Sequence, residues 1–356
     1  MTTVTDLVEN FDAVIGVDTH VATHSAAVLN PVTGGVLDEI TVEASEAGYA
    51  ELVEFADQHA VLRLWAIEGT GSHGAGLARH LATREEVMVE LDRPARAKRR
   101  HGAKSDPLDA IRAAREALAR PHVGTPRSSG GNRQSLAVLL AARRSAVQGA
   151  GDAQRQLFTL VLAAPETIRN RFRGQTTAAM IKTALNLRTR QDWDLETTTT
   201  VTVLRTLARR ARDLNTEAAN HEKTIHAIIR TWRNDLLAIQ GVGPIVAATV
   251  LCAWSHPGRI RSEAAFAMLA GTAPIPANSG QTTNRYRLNR YGDRRLNSAI
   301  HTIAITRTSH HQPTRDYITR RTTEGKTPRE IRRCLKRYIT RELYRQLEHP
   351  QTLDRT

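Results

Sequence analysis

Ala13-Val14-Ile15-Gly16-Val17-Asp18-Thr19-His20 is the stretch on which the reading of this 356-residue chain turns. Apolar residues and one glycine run into an aspartate, the pattern of a buried central strand whose last residues emerge at the end of a sheet. Leu64-Trp65-Ala66-Ile67-Glu68-Gly69 repeats the pattern with a glutamate at its end. An acid at the tip of a buried strand is a place to hold a hard cation. Mg²⁺ takes oxygen ligands and keeps several waters, which leaves room for a phosphate.

Working outward, the apolar patterning predicts strands over 13–18, 24–29, 36–42, 63–68 and 86–91, with a turn at 30–35. Helices are expected over 45–58, where Ser45 is a capping residue, over 73–83 after the Gly69-Thr70-Gly71 turn, and over 107–119. The last of these places Leu108, Ile111 and Leu118 on one stripe. Three strands in succession, then helix and strand in alternation, imply a mixed α/β sheet within residues 1–125. Pro121, Gly124, Pro126 and the Ser128-Ser129-Gly130-Gly131 run read as a linker.

Residues 126–233 are almost wholly helical in pattern. Leu204, Leu207, Ala211, Leu214, Ala218, His221, Ile225, Ile228 and Trp232 keep a three-four alternation, a coiled-coil seam with His221 as a polar residue at a core-type position. Its partner is a helix within the chain or across a dimer. In the third region, 234–356, the segment Asp235 to Pro244 reads as a helix, a Gly-x-Gly hairpin and a second helix, the arrangement of a helix-hairpin-helix. The turn amides at Gly241 and Gly243 would then face a backbone phosphate. A plain tight connection between helices explains the same glycines equally well.

The formal net charge of +14 is unevenly spread. Residues 1–92 hold 3 Lys/Arg against 16 Asp/Glu, whereas 93–104 hold 6 basic residues and no acid. Residues 121–234 hold 18 basic against 8 acidic, and 285–345 hold 17 against 5. Phosphate binding therefore belongs to the later parts and to Arg96, Lys98, Arg99, Arg100 and Lys104, while the acidic front suits a metal site. A solvated basic face is the plain alternative. Cys252 and Cys334 have no metal-ligand spacing and read as reduced thiols. No apolar run reaches the ~20 residues of a membrane helix, and a cytoplasmic protein without membrane partners is expected.

Asp106 and Asp109 complete the acids. Three apart at the start of a helix, they share one face and could point at the strand ends that present Asp18 and Glu68. Each acid also has a local explanation, as a strand end, a loop cap, an N-cap or a first-turn residue facing the helix dipole. Only the set of four argues for one metal pocket.

Gly-Val-Asp-Thr-His at 16–20, Ile-Glu-Gly-Thr-Gly at 67–71, Lys-Ser-Asp-Pro-Leu-Asp-Ala at 104–110, Gly-Val-Gly-Pro at 241–244 and Ala-Pro-Ile-Pro-Ala-Asn-Ser-Gly at 273–280 together resemble the DEDD transposases of a large prokaryotic insertion-sequence family, relatives of the pilin-gene inverting recombinase. The resemblance implies a RuvC-like (RNase H-like) domain at 1–125, a coiled-coil insert at 126–233 and a C-terminal transposase domain at 234–356. It makes Asp18, Glu68, Asp106 and Asp109 the Mg²⁺- or Mn²⁺-binding catalytic acids. It also makes Ser279, by local chemistry a turn serine, the nucleophile that joins covalently to DNA. Arg285, Arg287 and Arg290 would then face the charged transition state or the DNA backbone. Donor and target double-stranded DNA, a non-coding bridge RNA and a homo-oligomer, dimeric or tetrameric, are the implied partners, met at the nucleoid. A hydrolytic nuclease that uses only the acids, and an inactive nucleic-acid-binding descendant, are the alternatives.

Overall fold

The computed structural model describes residues 9–91, 106–120, 123–128, 130–276, 286–289 and 291–350, with 286–288 described by backbone alone. A five-stranded mixed sheet opens the chain: β1 (Ala13–Thr19), β2 (Thr23–Leu29), β3 (Val36–Glu43), β4 (Arg63–Glu68) and β5 (Val87–Leu91), in the order β3-β2-β1-β4-β5. β1 lies at the centre, antiparallel to β2 and parallel to β4, and β4 is parallel to β5. Val17 pairs with Ile67, so the next residues, Asp18 and Glu68, leave the sheet side by side. Thr19 Oγ1 donates to the Glu68 carbonyl at 2.9 Å and pins the two strand ends together.

Helices cover both faces, which is why the central strands are apolar on both. α1 (Glu46–Asp57), capped by Ser45 as expected, and α2 (Ala75–Thr83) cover one face. α2 starts two residues later than its pattern suggests because residues 69–74 fold as turns, with Gly74 N–H donating to the Gly69 carbonyl at 3.2 Å. α3 (Asp106–Ala119) covers the other face through Ala110, Ile111, Ala113, Ala114 and Ala117. The anticipated leucine stripe is corrected here, since Leu108 is 41% exposed and the buried face is mostly alanine. Gly16 explains the choice of small residues. A Cβ at that position would lie 2.0 Å from the Ala110 carbonyl oxygen and 2.6 Å from the Ala114 nitrogen, so helix and strand meet backbone to backbone.

The stretch read as a linker is tied down. Glu90 N–H donates to the Gly124 carbonyl at 2.7 Å, Arg259 Nε donates to the Thr125 carbonyl at 3.2 Å, and Ser128 N–H donates to Ser255 Oγ at 3.0 Å.

α4 (Gly131–Ala163) and α7 (Leu195–Trp232) form a long antiparallel pair: Leu136 shares a core with Ile225 and Ile229, Arg143 pairs with Glu222, and Gly149 faces Leu214. α5 (Glu166–Arg169) and α6 (Thr177–Asn186) fill the far end around Phe172. Leu204, Leu207, Ala211, Ala218 and Ile225 of the expected seam are buried, joined by Ala208 and Ile229. His221 is half-buried, with Nε2 3.4 Å from Glu217.

A helical unit closes the chain: α8 (Pro244–Trp254), α9 (Glu263–Leu269), the hairpin β6 (Pro274–Pro276) and β7 (Tyr286–Leu288), then α10 (Arg294–His310), α11 (Gln312–Thr323) and α12 (Pro328–Glu348). Its core includes the near ends of α4 and α7. α8 begins at Pro244 as expected, but the stretch read as its preceding helix is a 3₁₀ turn over Asn234–Ala238. Gly241, at φ +86°, takes the left-handed region, and a Cβ there would come within 3.2 Å of Ile303, so a backbone and packing reason suffices for it. Among the described residues no helix is long and apolar enough to cross a membrane.

Candidate functional site

Asp18 sits at the end of the central strand, its side chain only 14% exposed. Two residues on, and so on the same side of the strand, His20 places Nε2 3.2 Å from Asp18 Oδ2 and 3.4 Å from Asp106 Oδ1. Asp18, His20 and Asp106 each offer a ligand atom within 4.8 Å of the others. Glu68 and Asp109 line the adjoining 410 Å³ cleft together with Asp18, His20, His73 and Glu90. All four predicted acids therefore converge on one end of the sheet, Asp106 through His20 and the other three around the cleft.

The electrostatics of this corner are unbalanced. Burial raises the Asp18 carboxyl above its ordinary 3.8, His20 pulls it down, and Asp109 and Asp106 push it up again. Arg112, which donates to Asp109 at 2.6 Å, is 60% exposed and partly screened by solvent. Carboxylate oxygens in excess of nearby cations, with one imidazole nitrogen among them, make a donor set that suits a divalent ion such as Mg²⁺ or Mn²⁺.

Sequence reasoning passed over two members. His20 carries no metal-ligand spacing in the sequence, although the two-residue strand period puts it on the same side as Asp18. Glu90 lies inside β5 in a run with no motif. Its carboxylate accepts from Thr70 Oγ1 at 2.6 Å, its backbone holds Gly124, and Arg259 Nη2 lies 4.0 Å from Oε2. Glu90 thus lies between the acidic corner and the helical unit.

Arg96, Lys98, Arg99, Arg100, Lys104, Ser279, Arg285 and Arg290 lie outside the described residues, as does the side chain of Arg287. In sequence, Ser279 falls between β6 and β7. Gly243 has open space around its Cα and caps α8, whereas Gly241 is packed against α10.

Residues 15–164 match a family model described as a transposase, with the label DEDD_Tnp_IS110, and residues 233–319 match the Transposase IS116/IS110/IS902 family. The chain is also similar to the insertion element IS900 uncharacterized 42 kDa protein of Mycobacterium paratuberculosis, at 31% identity over 128 residues. That alignment covers 35% of this chain and spans about a third, 32%, of the relative's length.

Proposed function

Because the chain belongs to the DEDD transposases of the IS110 type, enzymes that act on DNA, we propose that it cuts, exchanges and rejoins DNA strands through a covalent link to Ser279. The observation that carries the reading is the meeting of Asp18, Glu68, Asp106 and Asp109 at one end of a mixed sheet of RuvC-like character. These acids would hold Mg²⁺ or Mn²⁺, which when bound neutralises charge on a phosphodiester and polarises it toward attack. Within the chain, His20 bridges Asp18 and Asp106 and fixes their carboxylates, and Thr19 locks the two strand tips in register. The Ser279 Oγ attacks phosphorus as its proton passes to solvent. A bond forms from Oγ to phosphorus, the bond to the leaving sugar oxygen breaks, and that oxygen takes a proton from solvent to leave as a hydroxyl. The phosphodiester energy is kept in the protein link, and attack by a second sugar hydroxyl releases the serine and rejoins a strand. Arg285, Arg287 and Arg290, close to Ser279 in sequence, supply positive charge for the transition state.

The remaining assignments follow the same reading. Residues 1–125, 126–233 and 234–356 act as the RuvC-like domain, the coiled-coil insert and the transposase domain. The transposase reading implies a homo-oligomer of two or four chains, formed by surfaces other than the α7 seam, which α4 of the same chain covers. The 3₁₀ turn and hairpin that lead into α8 face DNA through Gly243, and Arg96, Lys98, Arg99, Arg100 and Lys104 hold a phosphate strand beside the acids. A bridge RNA selects donor and target DNA by base pairing. With only 4 Trp, 6 Tyr and 5 Phe in 356 residues the chain carries few stacking platforms for reading bases itself, which favours such delegation. The work is done in the cytoplasm, on nucleoid DNA.

The test uses donor and target DNA of the element with its flanking transcript. The parent protein should form a DNA adduct that maps to Ser279, and Ser279→Ala should abolish both adduct and rejoined product. Cleavage retained by Ser279→Ala, with no adduct in the parent, would instead show a hydrolytic nuclease in which the acids activate water.

A further inference from the structure

A second cleft, of 560 Å³, opens beside the residues that enter and leave the β6–β7 hairpin, Gly271, Thr272, Asn289 and Gly292. Its far walls are α12, which presents Arg329, Arg332, Arg333 and Lys336 at one-turn spacing, and α10, which adds Arg294 and His301. Among the described residues no Asp or Glu lines it. Among the described residues none of Arg294, Arg329, Arg332, Arg333 and Lys336 is in an ion pair. The acids of α12 are engaged elsewhere: Glu330 closes the capping box with Thr327, Glu342 holds Arg307, and Glu348 accepts from Trp254 and Gly258. The neighbouring Arg337 and Arg341 are both matched by Glu263. Among the described residues the same helix therefore pairs its arginines on one face and leaves the cleft face without a close ion pair, with Glu330 acting on Arg333 only through the wider field.

Lys336 shows how the cleft is built. Its ammonium donates to Asn297 Oδ1 at 2.5 Å, and the Asn297 amide is fixed in turn by donating to the Ala270 carbonyl at 2.7 Å. Burial, then Arg332, lowers the Lys336 pKa, and burial followed by Lys336 and Arg332 does the same to His301. Five cations facing one cavity repel one another, and an anion with several oxygens would relieve that repulsion. Arginine forks and a lysine point charge suit a phosphate.

We propose that this cleft is a phosphate-binding site that grips the nucleic-acid backbone beside the hairpin whose two strands flank Ser279 in sequence. The site rests on the transposase reading only for the nature of the polyanion. DNA and RNA present the same phosphodiester, and the experiment separates them.

Full-length protein is acetylated with an N-hydroxysuccinimide ester, alone, with a 20-base-pair DNA duplex of arbitrary sequence, and with an RNA hairpin of equal phosphate number. Lys336 modification is followed by mass spectrometry against the exposed Lys182. Lys336 should be protected while Lys182 is not, and the probe that protects it names the source. In parallel, Arg332→Gln/Lys336→Gln should weaken binding of the protecting probe roughly tenfold and flatten its dependence on salt by about one to two phosphate contacts. The charge-matched Arg209→Gln/Arg210→Gln, at exposed positions of α7, should do much less. Equal Lys336 acetylation with and without both probes overturns the site, and because it is read on the parent protein it needs no folded variant. Equal weakening by the two double variants overturns it as well. Lys336 protection in a protein that forms no Ser279 adduct keeps the site and sinks the strand-exchange reading; an adduct without protection does the reverse.

Discussion

At the scale of single residues, three side chains have consequences that can be measured. Asp18 is held partly buried among other acids, so its charge opposes folding of the metal-free chain while serving the site. Asp18→Asn should therefore abolish DNA strand cleavage without lowering Tm, and a fall of several degrees in Tm would show that the carboxylate is structural. His24 is fully buried, stacked on Tyr49, and its pKa lies below 6.5 because burial outweighs the Thr23 carbonyl that favours its proton. The unfolded chain then takes up that proton first, and stability is lost as pH falls below about 6.5, with a slope of up to roughly 1.4 kcal/mol per pH unit. His256, lowered by burial and then by Arg259, adds in the same direction. Thermal melts from pH 7.5 to 5 should show the decline, and His24→Phe, which keeps an aromatic ring beside Tyr49, should remove about one proton from it. Burial also pushes the Cys252 thiol up to about 11. At pH 8 iodoacetamide should leave Cys252 unmodified in the folded protein and label it once urea unfolds the chain.

At the scale of elements, the decisive contact is α3 on β1. Nothing larger than glycine fits at Gly16, so Gly16→Val must lift α3 and carry Asp106 and Asp109 away from Asp18. It should cost at least ~2 kcal/mol in urea unfolding and eliminate cleavage although every acid is intact. Selective loss of activity at unchanged stability would mean that the helix relaxes without leaving the strand. The sequence made this contact hard to foresee, because alanine is too weakly apolar to mark a buried face and Leu108, the stronger signal, points to solvent. Asp18 and Glu68 were legible because a buried strand that ends in an acid breaks its own pattern; Glu90 was not, because its partners Thr70, Gly124 and Arg259 are set by folding rather than spacing. A second joint binds α7 to α12. Arg233, 8% exposed, is held by Asp235 at 2.8 Å, donates to the Gln346 carbonyl at 2.8 Å and lies over Trp254. Burial alone would raise the Asp235 carboxyl, but hydrogen bonds from Arg233 and Gln346 outweigh it and leave it below 3.8. Its stabilisation is present above pH 4 and fades as pH falls through the lowered value. Asp235→Ala strands a buried guanidinium and should destabilise by ~3 kcal/mol in chemical denaturation.

At the scale of the whole molecule, charge and structure divide the labour in the same place. The acids lie in the sheet-containing front of the chain, while the cations of α10 and α12 face a cleft in the helical rear. Composition alone located that division. It did not reveal that arginines from two separate helices share one acid-free cavity, since each taken singly reads as part of a solvated face. The sheet itself has one further consequence, at its rim. β3 is the outermost strand on one side and carries Asp38, Glu39 and Glu43 on a largely exposed ribbon, whereas β5 on the other side is met at Glu90 by Gly124. A second copy docking along β3 in antiparallel register would bring rows of carboxylates together, and along β5 it would have to displace the chain's own backbone. Both open edges are thereby defended against strand-to-strand polymerisation, the common hazard of a sheet left unfinished. The charge and cover of these edges therefore disfavour aggregation through the sheet.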